Sequence, residues 1–256
     1  MIFWRCSIKM NNAINSLKEK GYGIIPPEQY LSDMEKNFLA IWADIKAYTM
    51  TSIERGYSLF KSVEYIVKNK IPGDFVECGV WKGGSCMLIA QALALFGDAE
   101  RKIFLYDTFE GMPKPTEEDV ISWNGRSVME KWEEDETGTK DNFGSWAVGL
   151  GEVKTNISST NYPEDNLVFI PGDVAVTLKD IKPSRIALLR LDTDWYASTV
   201  EELEILYPLL VEKGVLIIDD YGHFDGARKA VDEYFQNRTI LLNRIDYTGR
   251  IGIKTE

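Results

Sequence analysis

The chain has 256 residues, of which 45% are hydrophobic and 27% charged, and its formal net charge is −11 at pH 7. That length suits one α/β domain with additions, and the acidic balance disfavours a phosphate backbone, so no nucleic acid is expected as a partner. One histidine and three cysteines (Cys6, Cys78, Cys86) without a CxxC pair exclude multi-histidine and thiolate metal sites and a disulfide framework.

Residues 1–6 read as a frayed start rather than a signal peptide, because Lys9 interrupts the apolar run too early. Residues 1–70 read as an N-terminal helical extension, with helices expected over 35–48 and 52–68. A second domain is expected over 71–256. Within it, short apolar stretches at 74–80, 102–107, 167–170, 185–191 and 214–218 are bounded by Gly, Pro or Asp, as buried parallel strands are. Helical patterns over 85–96, 199–211 and 226–235 alternate with them, which implies a doubly wound sheet. Residues 239–245 and 250–253 flank Asp246-Tyr247-Thr248-Gly249 and read as a hairpin. The expected fold is therefore α/β: a doubly wound, Rossmann-like sheet of seven strands, one antiparallel, closed by a C-terminal hairpin. The polar stretch 113–162, rich in Glu, Gly and Trp, reads as a lid or substrate excursion, with 130–136 as a solvated face. The N-terminal helices and this excursion are candidate surfaces for a homo-oligomer. No apolar run is long enough to span a bilayer, so no membrane partner is expected, and the reduced cysteines fit a cytoplasmic protein.

Three motifs carry chemistry. Glu77-Cys78-Gly79-Val80-Trp81-Lys82-Gly83-Gly84-Ser85 follows a strand and opens a helix, where glycines admit a ligand close to backbone N–H groups. It lacks the G-x-G-x-x-G spacing and carries an acid that would repel a pyrophosphate. The acid suits a ligand with an amino-acid moiety, such as S-adenosylmethionine (SAM), better than NAD. Tyr106-Asp107-Thr108-Phe109-Glu110-Gly111-Met112 places an Asp where doubly wound folds bind ribose hydroxyls, with Phe109 able to lie against an adenine. Pro171-Gly172-Asp173-Val174 repeats the geometry, with Asp173 positioned for the adenine amino group.

The third motif is a carboxylate cluster. Asp192 and Asp194 end one strand, and Asp219 and Asp220 end another. Adjacent parallel strands would bring all four to one sheet edge, where α/β ligands bind. Like charges so placed raise one another's pKa, and a divalent cation with hard oxygen ligands relieves the repulsion. His223, three residues past Asp220, is a candidate base or substrate contact, and equally an ordinary surface or packing residue.

These stretches, together with Thr49-Met50-Thr51, resemble the macrocin-type sugar O-methyltransferases, SAM enzymes that tailor antibiotic sugars. The matching segments run in order from about residue 49 to 235. The resemblance implies SAM contacts at Thr49, Met50, Glu77, Cys78, Gly79, Val80, Trp81, Ser85, Asp107, Thr108, Phe109, Gly111, Asp173 and Val174. It implies Mg²⁺ (or Mn²⁺) on Asp192, Asp219 and Asp220, and Asp194 as the base, with His223 as the alternative. The acceptor it implies is a small hydroxylated molecule, a sugar or glycosylated natural product. Residues 113–162 match least, so the family's particular acceptors do not transfer. Competing expectations are a catechol-type O-methyltransferase, a non-catalytic SAM-binding protein and an NAD-dependent sugar-nucleotide enzyme.

Overall fold

The structure is a computed structural model, and it describes residues 14–21, 23, 25, 27–136 and 147–255. The expected frayed start at 1–6 and residues 137–146 of the excursion lie outside them. The chain divides into two compact units, Met1–Leu39 and Ala40–Glu256. In the first, residues 14–19 are helical and Pro27–Tyr30 forms a single turn. Helix α1 (Lys36–Ile45) crosses the boundary. The second unit carries the sheet.

Its strands are β1 (Asp74–Cys78), β2 (Ile103–Asp107), β3 (Leu167–Pro171), β4 (Ile186–Leu191), β5 (Leu210–Ile218), β6 (Asn243–Arg244) and β7 (Arg250–Ile253), in the order β3-β2-β1-β4-β5-β7-β6. The first five run parallel, and β7 runs antiparallel to both β5 and β6. This is the expected seven-stranded sheet. Strand β4 is buried along its whole length, so apolar side chains on both of its faces find helices, the mark of a central parallel strand. One face packs Val76, Cys78, Phe104 and Tyr106 against Leu203, Leu206, Leu178 and Val231. These come from helices α7 (Tyr196–Leu206), α6 (Val174–Asp180) and α8 (Asp225–Phe235). The other face is covered by α2 (Ile53–Lys68) and α3 (Gly84–Phe96), which pack on each other.

Several boundaries differ from expectation, among them those of β6, which is shorter than the expected 239–245, and of α7 and β5. Helix α7 starts at Tyr196 and stops at Leu206, where Tyr207–Leu209 tightens into a 3₁₀ turn containing Pro208. Proline cannot supply the next helical N–H, and β5 begins at Leu210, four residues before the expected start. The excursion contains α4 (Val128–Glu136) and α5 (Leu150–Ser158). Helix α5 buries Val153 and Ile157 beside α3, with Ile157 against Gly83.

The strand order reverses between β1 and β4, which makes the crevice beyond their carboxyl ends the ligand-binding position of an open α/β sheet. Register brings the motifs into one row there. Cys78 pairs with both Tyr106 and Leu191, and Leu191 pairs with Ile218. The ladder runs one residue further through Gly79 N–H to Tyr106 O (2.9 Å), Asp192 N–H to Cys78 O (2.8 Å) and Asp219 N–H to Leu191 O (2.9 Å).

Candidate active site

A cleft of about 290 Å³ opens over this row. Its walls come from the Tyr48–Thr51 segment, Arg55 of α2, the β1–α3 loop, and the loops after β2, β4 and β5. The tip of the β6–β7 hairpin adds Tyr247 and Thr248. A smaller recess adjoins it, lined by Thr108, Asp173, Val174 and Thr193 and sharing Gly79, Asp107 and Gly111 with the main cleft.

Two glycines let these segments meet. Gly79 has φ +85° and its Cα lies against the Asp192 carbonyl, so any side chain there would strike the carboxylate loop. Gly84 donates to Tyr48 O (2.9 Å), and a Cβ on it would sit 2.7 Å from Thr49 Cβ. That close approach sets Thr49 and Met50 in the cleft wall.

Of the residues expected to contact SAM, the main cleft gathers Thr49, Met50, Glu77, Gly79, Val80, Trp81, Ser85, Asp107 and Gly111. The side recess adds Thr108, Asp173 and Val174. Cys78 and Phe109 are buried and line neither. Asp107 ties two loops together: Oδ2 accepts from Val80 N–H (2.6 Å) and Trp81 N–H (3.1 Å), and Oδ1 from Phe109 N–H (2.7 Å). Asp173 caps α6 by accepting from Ala175 N–H (2.9 Å). Among the described residues, two buried polar atoms on the cleft wall, Trp81 Nε1 and Thr51 Oγ1, have no protein partner. Such atoms cost stability unless water or a ligand satisfies them.

All four expected aspartates and His223 line the cleft floor. Asp192, Asp194 and Asp220 each place a carboxylate oxygen within 4.8 Å of the others. Burial raises all three carboxyls and the neighbouring carboxylates add to it, against the pull of Arg190 on Asp192, with Asp194 pushed up to about 8. The Asp194 and Asp220 carboxyls approach within 4.8 Å, and among the described residues Oδ2 of Asp220 is buried without a partner. Asp194 holds a left-handed backbone, φ +66°, that turns its side chain back toward the others. Asp219 sits apart: Oδ1 accepts from Arg190 Nη2 (2.5 Å) and Oδ2 from Arg55 Nη1.

The structure adds residues that sequence reasoning passed over. Arg190 is 2% exposed and donates to Glu77, to Asp192 (2.6 Å) and to Asp219. The other Glu77 oxygen accepts from Cys86 Sγ (2.6 Å). Arg55 also donates to Asp246 (3.0 Å), which accepts from Ser52 Oγ (2.7 Å) as well. Arg190 carried a signal, a lone charge inside an otherwise apolar strand. Arg55, on an ordinary amphipathic helix, carried none. The excursion is clipped to both carboxylate loops. Trp195 Nε1 donates to Pro113 O (2.9 Å), Ser122 N–H to His223 O (2.9 Å) and Tyr196 N–H to Oδ1 of the fully buried Asp119 (2.8 Å).

A family model described as Macrocin-O-methyltransferase (TylF) matches residues 24–251. The chain belongs to the macrocin O-methyltransferase family. Members of this family are SAM-dependent O-methyltransferases, and so is this chain. It is 35% identical over 210 residues, 81% of this chain and 76% of the relative, to the 8-demethyl-8-(2,3-dimethoxy-alpha-L-rhamnosyl)-tetracenomycin-C 4'-O-methyltransferase of Streptomyces olivaceus. It is 32% identical over 207 residues, 81% of this chain and 77% of the relative, to the mycinamicin III 3''-O-methyltransferase of Micromonospora griseorubida. Among solved structures, the O-methyltransferase NovP superposes with a TM-score of 0.70 at 30% identity, covering 82% of this chain and 83% of that one. Membership in the macrocin O-methyltransferase family sets aside the NAD-enzyme and non-catalytic expectations. No helix among the described residues is long and apolar enough to cross a membrane.

Proposed function

We propose that this enzyme methylates a hydroxyl of a sugar carried on a small glycosylated molecule, with a divalent cation, Mg²⁺ or Mn²⁺, at the carboxylate cluster. The observation that carries the reading is the convergence of Asp192, Asp194 and Asp220 in the same cleft that the β1–α3 loop lines. The donor set fits a hard cation: it is all oxygen, its carboxyls are raised by burial and mutual repulsion, and Asp220 Oδ2 has no partner among the described residues. The SAM wall fits as well, since Trp81 Nε1 and Thr51 Oγ1 await a partner there. The acceptor of the Streptomyces olivaceus relative carries a rhamnosyl group, which supports the sugar.

Asp192 and Asp220 are assigned as ligands, with Asp219 as the third. Asp219, whose Oδ1 accepts from Arg190 and Oδ2 from Arg55, would have to exchange Arg55 for the cation to serve as that third ligand. SAM supplies an activated methyl group, and a bound cation supplies a Lewis acid that lowers a hydroxyl's pKa. The remaining work falls to the chain. Thr49, Met50, Gly79, Val80, Trp81, Ser85 and Gly111 form the donor's wall, and Thr108, Asp173 and Val174 the recess for its nucleoside. Arg190 fixes the Glu77, Asp192 and Asp219 carboxylates in one frame. Asp194 is assigned to take the hydroxyl proton; burial and the Asp192 charge raise its carboxyl, and a cation bound beside it would favour the ionised form that accepts a proton. Positioning of two reactants in one cleft contributes up to roughly 7–11 kcal/mol in well-oriented systems. Cys78 and Cys86 are free, as a reducing cytoplasm allows.

The test is methyl transfer from labelled SAM to a panel of glycosides and a catechol. The account expects a methyl ether on a glycoside. Methylation of the catechol alone would move the enzyme to an aromatic acceptor.

A further inference from the structure

His223 and Tyr247 come from different loops and meet on the cleft wall beside the carboxylates. Nδ1 of His223 lies 3.0 Å from the Tyr247 hydroxyl. The imidazole is also held edge-on against Phe224, with ring centroids 4.5 Å apart. Both ends of the contact are fixed. His223 N–H donates to Asp220 O (2.9 Å) and its carbonyl accepts from Ser122 N–H. The hairpin tip is pinned by Asp246 Oδ1, which accepts from Thr248 N–H (2.9 Å) and Gly249 N–H (2.7 Å), and by Thr248 Oγ1 donating to Asp219 O (2.7 Å). Among the described residues Nε2 of His223 has no hydrogen-bond partner, and the Tyr247 hydroxyl has none besides Nδ1.

We infer that Tyr247 donates its hydroxyl proton to Nδ1 and holds the neutral His223 ring with its proton on Nε2, so that His223 is a hydrogen-bond donor to an acceptor-substrate oxygen and not the base. A neutral imidazole has one N–H and one lone pair, so the nitrogen that accepts decides which one donates. The phenol is the stronger proton donor of this pair. The reverse arrangement would spend the imidazole N–H on the phenol oxygen and leave the Tyr247 proton without a protein acceptor. With Nδ1 engaged, the side chain offers the cleft a single N–H. Its complement is an oxygen lone pair: a hydroxyl, ring or glycosidic oxygen neighbouring the methylated position. A sugar presents several of these, and an ammonium-bearing neighbour would present none. Tyr247 is thus a positioning residue acting through His223, and proton acceptance stays with the carboxylates. The contact to an acceptor oxygen rests on the proposed function; the tautomer does not.

The chain's single histidine makes the test direct. In ¹⁵N-histidine-labelled full-length protein, long-range ¹⁵N–¹H spectra at a pH where the ring is neutral give one pair of imidazole nitrogens. The expected result is a protonated Nε2 and an unprotonated, hydrogen-bonded Nδ1. In Tyr247→Phe the Nδ1 resonance should move to its unbonded position. A protonated Nδ1 in the wild type would overturn the inference and restore His223 as a candidate base. A spectrum unchanged by Tyr247→Phe would overturn the role of Tyr247. The measurement uses no SAM, cation or acceptor, so failure of methyl transfer and failure of this inference are separate results.

Discussion

Removing Arg190 exposes how much of the site is held by one buried cation. Its guanidinium is 2% exposed and serves Glu77, Asp192 and Asp219 at once. Arg190→Met keeps the stem's volume and takes away the charge. Breaking a buried ion pair on one side costs about 3–5 kcal/mol, because the partner is left charged and unpaired. For a unit of this size that is a fall in Tm of about 6–20 °C. The loss depends on pH in a definite direction. Burial already raises the carboxyls of Glu77 and Asp192, and Arg190 pulls both down. Without it they rise further. A carboxyl with a raised folded pKa gives its full contribution to stability below its unfolded pKa and loses it as pH climbs toward the folded value. The deficit of Arg190→Met against wild type should therefore be smallest near about pH 5 and grow toward about pH 8. Urea unfolding followed by tryptophan fluorescence, in EDTA at both pH values, measures it. A deficit below about 1 kcal/mol at the higher pH, or one equal at both, would refute the reasoning.

Other substitutions probe other joints. Asp119→Ala removes the acceptor of Tyr196 N–H, Thr116 N–H (2.7 Å) and Thr116 Oγ1 (2.9 Å). It should cost about 1–3 kcal/mol and speed proteolytic cleavage within residues 113–128, read by mass spectrometry. Glu202 is fully buried with a carboxyl pushed up to about 8, chiefly by desolvation, and Oε2 unpartnered. Ionisation in the unfolded chain weakens the fold as pH rises from about 4.5 to about 8. Glu202→Gln should flatten that decline, gaining at most about 5 kcal/mol on wild type at about pH 8 by chemical denaturation. Gly79→Ala should displace the Asp192 loop and weaken S-adenosylhomocysteine binding at least about tenfold by calorimetry, a loss of about 1.4 kcal/mol.

Sequence reached the sheet because its strands are short apolar runs closed by Gly, Pro or Asp, and their register then aligned the motif-bearing ends without further information. The four aspartates were visible for the same reason, as paired acids at two strand ends. Their division of contacts was not. Which carboxylate meets Arg55 depends on how α2 crosses the sheet edge, and the Asp194 turn depends on a positive φ that an aspartate does not advertise. Asp107 looked free for a ribose, yet its oxygens knit the β1 and β2 loops through three backbone N–H groups. Tyr247 sat in a stretch legible only as a turn, and its approach to His223 spans loops after different strands.

The central claim is a cation-dependent methyl transfer at the Asp192–Asp194–Asp220 floor of a SAM cleft. The most direct measurement is turnover by Asp192→Ala beside wild type, each with EDTA and with Mg²⁺ restored, alongside S-adenosylhomocysteine binding. EDTA should silence the wild type and Mg²⁺ revive it, while Asp192→Ala stays silent yet still binds S-adenosylhomocysteine. Full turnover by Asp192→Ala, or by wild type in EDTA, would contradict it.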